Sequence, residues 1–394
     1  MTQRVILQKS RLFGEIIPTL LIVIFGVAAV ARNLFPEGSM QRIGFIVIMA
    51  VVGGISHVYA FILRPCKRHI AVFYLLYCSI VLCSFFSENY TIYDYLMPAV
   101  YLGIGILLLE FRTDYVLIAC YHLAIVLLFA AHGPKGLSQG IFHGSSRNYH
   151  SVYVLFSSLL VYIAAVKNGR DITVFPALTA FAISVLSIGR SGIVASGVLL
   201  VAVIVHRYYN DLKSSKYFRI LLIAVLLSVA FVLSGPALYA FLSDKYLYRL
   251  QVLGLSDRAR PAILREYIRL MLTSTRFFVF GVPTGQSHVF AAYKYNLHNS
   301  FLRLHSLFGL IGVIGVITLT LTSIVHYCRK RRIHLAFLLV VFLRISTDAA
   351  AFHGIFDPLI VYLLLYPHWV VRDKEGRAVN LSHAHFDGHQ TVIV

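Results

Sequence analysis

His298 and Asn299 stand where a long polar stretch gives way to an apolar one, reading His298-Asn299-Ser300-Phe301-Leu302-Arg303-Leu304-His305. An imidazole changes charge near neutral pH, so at such a boundary it suits general-base work. His305 falls seven residues later, on nearly the same helix face. Arg190 lies between apolar runs in Ile188-Gly189-Arg190-Ser191-Gly192, where the glycines permit close backbone approach or a left-handed turn. Ser145-Ser146-Arg147-Asn148 ends another polar connection. Farther on, Arg260 precedes Pro261, a residue suited to the first turn of a helix. Arg265, Arg269 and Arg276 follow at spacings of 4 and 7, which puts them on one face. Guanidinium forks match phosphate and carboxylate, and the clustered acids that a divalent cation wants are missing. The chemistry on offer is proton abstraction beside an anionic substrate, with no metal or cofactor.

Each of these groups also has a purely structural use. Arg190 can reach headgroups by snorkelling, and Arg147 with Asn148 can anchor and cap a helix entrance. The arginine stripe with Ile263, Leu264, Tyr267, Ile268 and Met271 suits an amphipathic helix lying in the outer leaflet interface. His298 and His305 can serve as polar anchors of a helix end. Arg344 and Asp348, four apart, suit a mutual ion pair. The histidines of Ser382-His383-Ala384-His385-Phe386-Asp387-Gly388-His389 are remote and near the chain end, which favours a disordered tail over a metal site. Five scattered cysteines, Cys66, Cys78, Cys83, Cys120 and Cys328, imply neither a disulfide framework nor zinc.

The elements that position these residues are membrane helices. Of 394 residues, 59% are hydrophobic and 13% charged, too apolar for a soluble domain of this size. Runs of spanning length fall at 13–32, 43–63, 70–87, 92–110, 115–132, 149–166, 172–188, 191–206, 219–241, 300–326, 334–350 and 354–371, twelve in all. The expectation is an all-α, polytopic membrane domain over 1–371, a tail over 372–394 and one large loop at 242–297. The net charge of +19 is read against this topology, and not as a nucleic-acid signal. Alternate connections hold twenty basic residues on one side against seven in the short connections of the other. By the positive-inside rule both termini are cytoplasmic and the loop lies outside. The first run is of spanning length without a small-residue cleavage site, so it reads as a span and not a leader. Between 172 and 206 no polar connector separates two runs, so the turn at Arg190 is expected below the outer surface.

His298-Asn299-Ser300-Phe301-Leu302 followed by Gly309-Leu310-Ile311-Gly312 resembles the signature of the O-antigen polymerase and ligase superfamily (Wzy/WaaL type). Gly189-Arg190-Ser191-Gly192 looks like its serine-arginine-glycine element, Arg260-Pro261-Ala262-Ile263-Leu264 with Gly281-Val282-Pro283 like its loop helix and following turn, and Ser146-Arg147-Asn148 like an element of its repeat-unit polymerases. The resemblance covers about 140 to 350. Gly189 replaces a usual serine, and Leu307 stands where many members carry a glutamate.

The resemblance implies a metal-independent, glycosyltransferase-C-like enzyme of a bacterial cytoplasmic membrane, acting on the outer face. Donor and acceptor would be undecaprenyl-diphosphate-linked glycans, joined into O-antigen, capsular or exopolysaccharide chains. In that scheme Arg190, Arg260 and Arg147 hold the diphosphate, His298 takes the proton of the acceptor hydroxyl and Asn299 orients it, with Arg265, Arg303, His305 and Arg344 as further site candidates. Membrane lipids, a flippase and a chain-length regulator are the implied partners. An O-antigen ligase or protein O-oligosaccharyltransferase shares these motifs. Outside the superfamily stand a twelve-helix secondary transporter, which predicts matching inverted halves that the chain does not display, and a flippase, which predicts arginines at both leaflets.

Overall fold

The computed structural model describes residues 12–63, 67–86, 91–139, 141–143, 148–187, 189–214, 259–293, 295–368, 370–372 and 378–380. Arg147, the side chain of Arg190, the 219–241 run, the first part of the large loop and the histidine-bearing tail lie outside the described residues.

Long apolar runs become helices because only a helix satisfies its own backbone groups in lipid. In chain order they are α1 (Ile17–Ala31, after a π-helical turn at Leu12–Ile16), α2 (Met40–Leu63), α3 (Lys67–Phe86), α4 (Ile92–Glu110), α5 (Tyr115–Gln139), α6 (Asn148–Lys167), α7 (Phe175–Leu186) and α8 (Arg190–Ser214). The described part of the loop holds α9 (Ala259–Thr273), α10 (Thr275–Phe280) and α11 (His288–Ala292). The chain then returns as α12 (Ser300–Lys330), α13 (Arg332–Ile345) and α14 (Asp357–Leu365). A short antiparallel pair, β1 (Val370–Arg372) and β2 (Ala378–Asn380), follows the last helix.

Seven described helices are long and apolar enough to cross a membrane, and the chain is a helical membrane protein. The runs at 172–188, 334–350 and 354–371 are shorter than expected, giving helices of 12, 14 and 9 residues. Twelve residues rise only about 18 Å against a core of about 30 Å. Hydropathy counted the flanking loops as helix: Pro176 and Pro358 mark late helix starts, and 349–356 is irregular although apolar.

Helix α6 forms the centre and is buried nearly all round from His150 to Ala165. Helices α5, α7 and α8 pack on it, Tyr162 stacks on Phe337 of α13, and Phe156 meets the ring of Phe356 just before α14. At the periphery α12 leaves Ile311, Ile314, Ile317, Leu321 and Val325 exposed at helical spacing, an apolar stripe suited to lipid. Helix α2 does the same with Val47, Val51, Ile55, Val58 and Ile62.

The two ends of the bundle differ. At one, Lys167 donates to the carbonyls of Leu108 and Phe111, Arg207 to that of Ile172, and Arg331 lies over Tyr366. At the other, Asn33 donates to Tyr153 and Arg32 to Tyr93, while Arg344 joins three helices. The sequence motifs gather at this second end.

Candidate functional site

The sequence places an Asn where a helix must start, and the structure uses it so. Asn299 is extended, and its Oδ1 accepts from the Phe301 and Leu302 amides at 2.8 and 3.4 Å, capping α12. The side-chain oxygen expected to orient a substrate is thus committed to the helix. Ser300, fully buried, donates to the Asp348 carbonyl (2.7 Å) and accepts from the amides of Ala350 and Ala351. That bond set ties the start of α12 to the irregular 349–356 segment. His298 sits just before the cap with φ +50, and its amide donates to Asn296 Oδ1 at 2.9 Å. A left-handed histidine is uncommon, and such backbone concentrates at functional sites.

The described part of the loop is latched to the first turns of α12. Ile263 and Tyr267 of α9 bury against Val282, Phe290 and Leu297, a small core separate from the bundle. Leu264, Ile268 and Leu272 stay exposed at a spacing of four, so the apolar side of α9 is divided between its own loop and the surroundings. The arginine stripe is broken: Ser274 is extended and starts a new helix, so Arg276 leaves the face of Arg265 and Arg269.

His305 is a latch. Its Nε2 lies 2.9 Å from the Phe278 carbonyl, which can only accept, so that nitrogen carries the hydrogen; Nδ1 then accepts from the Tyr267 hydroxyl at 2.8 Å. With both nitrogens engaged and the ring buried, His305 joins loop to helix. Nearby, Ser306 donates to the Val282 carbonyl (2.9 Å).

Two other candidates also take structural posts. Arg265 is exposed and reaches back to the Pro261 carbonyl of its own helix at 3.4 Å. Arg344 is completely buried and ion-paired with Asp348 at 2.8 Å; it also donates to Ser191 Oγ (3.2 Å), Asn148 O (3.0 Å) and Ser151 Oγ (3.3 Å). It therefore fixes the first turn of α8, where Arg190 stands, against α6. Gly192 allows this closeness, because a Cβ there would collide with Ser151. Neither Gly189 nor Gly192 has a positive φ, so close approach is the use made of Gly192.

On the loop surface Glu266 accepts from Arg269 at 2.8 and 2.9 Å and from Ser287 Oγ at 2.8 Å. These hydrogen bonds, Arg269 first, pull its carboxyl from 4.5 down to about 2. A depressed carboxyl contributes stability above its unfolded value that is lost as pH falls toward the folded one. The protection of 284–293 against hydrogen exchange, taken relative to the intrinsic rate at each pH, is accordingly expected to fall between pH 4.5 and about 2, and Glu266→Gln to show the lowered protection already at pH 7. The effect is small because the pair is solvent-exposed.

Between this latch and the bundle lies a polar cavity of about 420 Å³, lined by Glu37, Arg42, Asp94, Tyr149, Pro283, Thr284, Tyr295, Asn296, Leu297, Arg303, Ser306, Leu307 and Ala349. Arg303, one turn into α12, makes no side-chain hydrogen bond or ion pair among the described residues. Arg42 meets Glu37 at 3.4 Å and keeps a buried Nη1 without a hydrogen bond. Two guanidiniums thus face one cavity. Leu307, where the resemblance expects an acid, is on the wall, and carboxylates come from Asp94 and Glu37 instead. Arg260, at the first turn of α9, and His298 are not wall residues, although Leu297 beside His298 is.

Behind Asp94 the 349–356 segment folds tightly. Phe352 and His353 have φ of +50 and +95, held by Asp357, whose carboxylate accepts from the amides of Phe352, His353 and Gly354 at 2.6 to 3.0 Å. Burial pushes the His353 imidazole well below its usual value, and the Arg303 guanidinium adds to the effect. Sequence reading counted Arg42 only as loop charge and passed over Asp94, Tyr149 and His353. The single local signal was Thr91-Ile92-Tyr93-Asp94, a capping box that Thr91 and Asp94 do form.

Compared with known proteins, the chain matches no family model and no curated sequence.

Proposed function

We propose that this protein is a membrane glycosyltransferase that joins undecaprenyl-diphosphate-linked repeat units into a polysaccharide on the outer face of a bacterial cytoplasmic membrane. The observation that carries this reading is the cavity with two guanidiniums, Arg42 and Arg303, at the end of the bundle where the loop closes. A diphosphate leaving group carries its charge on oxygens that planar forks bind in pairs, and preorganised cations stabilise that charge as it develops. Thr284, Asn296 and Ser306 supply hydroxyl and amide partners for sugars, and Tyr149 and Tyr295 supply faces for them.

In this reading the chain crosses the membrane twelve times in a glycosyltransferase-C-like bundle, the short helices and the 219–241 run adding to the seven long ones. Both termini are cytoplasmic. The resemblance adds Arg190, Arg260 and Arg147 to the diphosphate contacts and implies His298 as the proton acceptor, although His298 does not line the cavity.

The test is the lipid-linked glycan profile of a strain lacking the chain. Single units on surface acceptors support a polymerase, long chains stranded on carrier lipid mean a ligase, and unchanged glycan overturns both. Within the complemented strain, Arg303→Ala is expected to lower elongation about 10²–10³-fold, the usual cost of a lost transition-state donor, with unchanged protein level and accumulation of single lipid-linked units. Normal chain length in that variant removes Arg303 from the site.

A further inference from the structure

Asp94 is the wall group whose surroundings are hardest to explain by structure alone. Its Oδ2 takes both bonds of the capping box, from Thr91 N at 2.9 Å and Thr91 Oγ1 at 2.7 Å. Oδ1 lies 3.5 Å from His353 Nδ1. His353 is only 4% exposed, and its Nδ1 is buried without a hydrogen bond. The other ring nitrogen, Nε2, lies 3.3 Å from the Asp94 carbonyl, which can only accept, so in the neutral ring that burial favours Nε2 carries the hydrogen and Nδ1 presents a lone pair.

Two acceptors therefore face each other with no proton between them. A buried polar atom without a partner costs about 1–3 kcal/mol, and a non-glycine residue in a disfavoured backbone region costs a similar amount. The fold accepts both at His353, and three amide bonds to Asp357 keep it there. An apolar residue would fill the same space without the orphaned nitrogen. What the imidazole adds is a place for a proton that arrives on Asp94.

We infer that Asp94 is the proton acceptor of the transfer reaction, with His353 as the positioning residue behind it. The inference rests on the glycosyl-transfer reading above. In the step, the acceptor sugar hydroxyl loses its proton to Asp94 Oδ1 as its oxygen bonds to the anomeric carbon of the donor. The bond from that carbon to the diphosphate oxygen breaks, and the electron pair leaves on the diphosphate, which faces Arg303 and Arg42 across the cavity. The new carboxyl O–H donates to His353 Nδ1 and supplies the partner that nitrogen lacks.

The experiment uses the full chain in proteoliposomes, with lipid-diphosphate-linked repeat units extracted from a strain lacking it. Asp94→Asn keeps an oxygen for the Thr91 amide, so the helix cap survives while the base is lost. Its kcat is expected to fall by at least about 100-fold, the scale of general-base catalysis, with KM for the lipid-linked units within about threefold of wild type. His353→Phe is expected to lower kcat at constant KM, and the double variant to be no slower than Asp94→Asn alone. A merely structural role would instead multiply the two losses.

Wild-type kcat in either single variant overturns the inference, as does multiplication in the double. So does a His298→Ala variant that takes the loss while Asp94→Asn keeps its rate, which hands the proton to His298. A wild-type chain that lengthens nothing removes the glycosyl-transfer reading and this inference together; a wild-type chain that lengthens normally beside an active Asp94→Asn removes the inference alone.

Discussion

Arg344→Met is expected to cost the protein its fold and not merely its activity. The guanidinium is completely buried and holds Asp348, the Asn148 carbonyl and the hydroxyls of Ser151 and Ser191, so it touches α6 and α8 as well as its own helix. Removing one partner of a buried ion pair leaves the other charge uncompensated, at a cost of about 3–5 kcal/mol. Ordinary stabilities are about 5–15 kcal/mol, so a loss of this size takes much of the margin. Arg344→Lys is expected to rescue little, because a single ammonium has no planar fork with which to span two helices and a carboxylate. Thermal unfolding of the detergent-solubilised protein, followed by the fraction remaining monodisperse, measures both variants. A wild-type midpoint in Arg344→Met would free Arg344 from its structural post and return it to the list of substrate ligands.

The same residue shows why part of the site was legible in the sequence and part was not. That Arg344 and Asp348 pair follows from their spacing of four, although the helix of Arg344 ends at Ile345 and Asp348 lies in the turn beyond it. That the guanidinium also meets Ser191 and Asn148, 153 and 196 positions away, follows from nothing local. Local signals served well elsewhere: the run at 92–110 became a helix with those bounds, Asn299 capped the helix it was expected to open, and Pro261 fell in the first turn of α9. Hydropathy failed where apolar chain is not helical, as at 349–356. There the amides are satisfied by a carboxylate, Asp357, that no apolar count anticipates. Asp94 and His353 are 259 positions apart, so the pair exists only once the helices have packed. The contacts of His305 were not legible for a related reason. Its spacing from His298 put the two on one face, but the Tyr267 hydroxyl and the Phe278 carbonyl come from a loop whose path over α12 is a tertiary fact.

Gly309 decides that path. Hydropathy reads 300–326 as one smooth span, yet at Gly309 the chain takes φ +58 and ψ −164, a region used almost only by glycine, and α12 kinks. A Cβ on Gly309 would collide with the Val279 carbonyl and lie 3.0 Å from Cys83 Sγ. Gly281, φ +98, meets the His305 and Ser306 carbonyls from the other side, so the loop backbone and the α12 backbone touch at both glycines. Pro283, Thr284 and Ser306 of the cavity wall hang on this contact. Gly309→Ala is therefore expected to add about 1–3 kcal/mol of backbone strain, besides a collision that only movement of the loop relieves. The loop should lift from α12 while the bundle, built on α6, stays intact. Protease cleavage within 259–297 should then rise sharply and elongation should stop, with helical content unchanged. Gly315→Ala is the control on the same helix. A Cβ there meets nothing within 4 Å, and alanine is the better helix former by about 1 kcal/mol, so that variant should cleave no faster than wild type. If Gly309→Ala cleaves like Gly315→Ala, the two backbones are not in contact and the cavity does not depend on the latch.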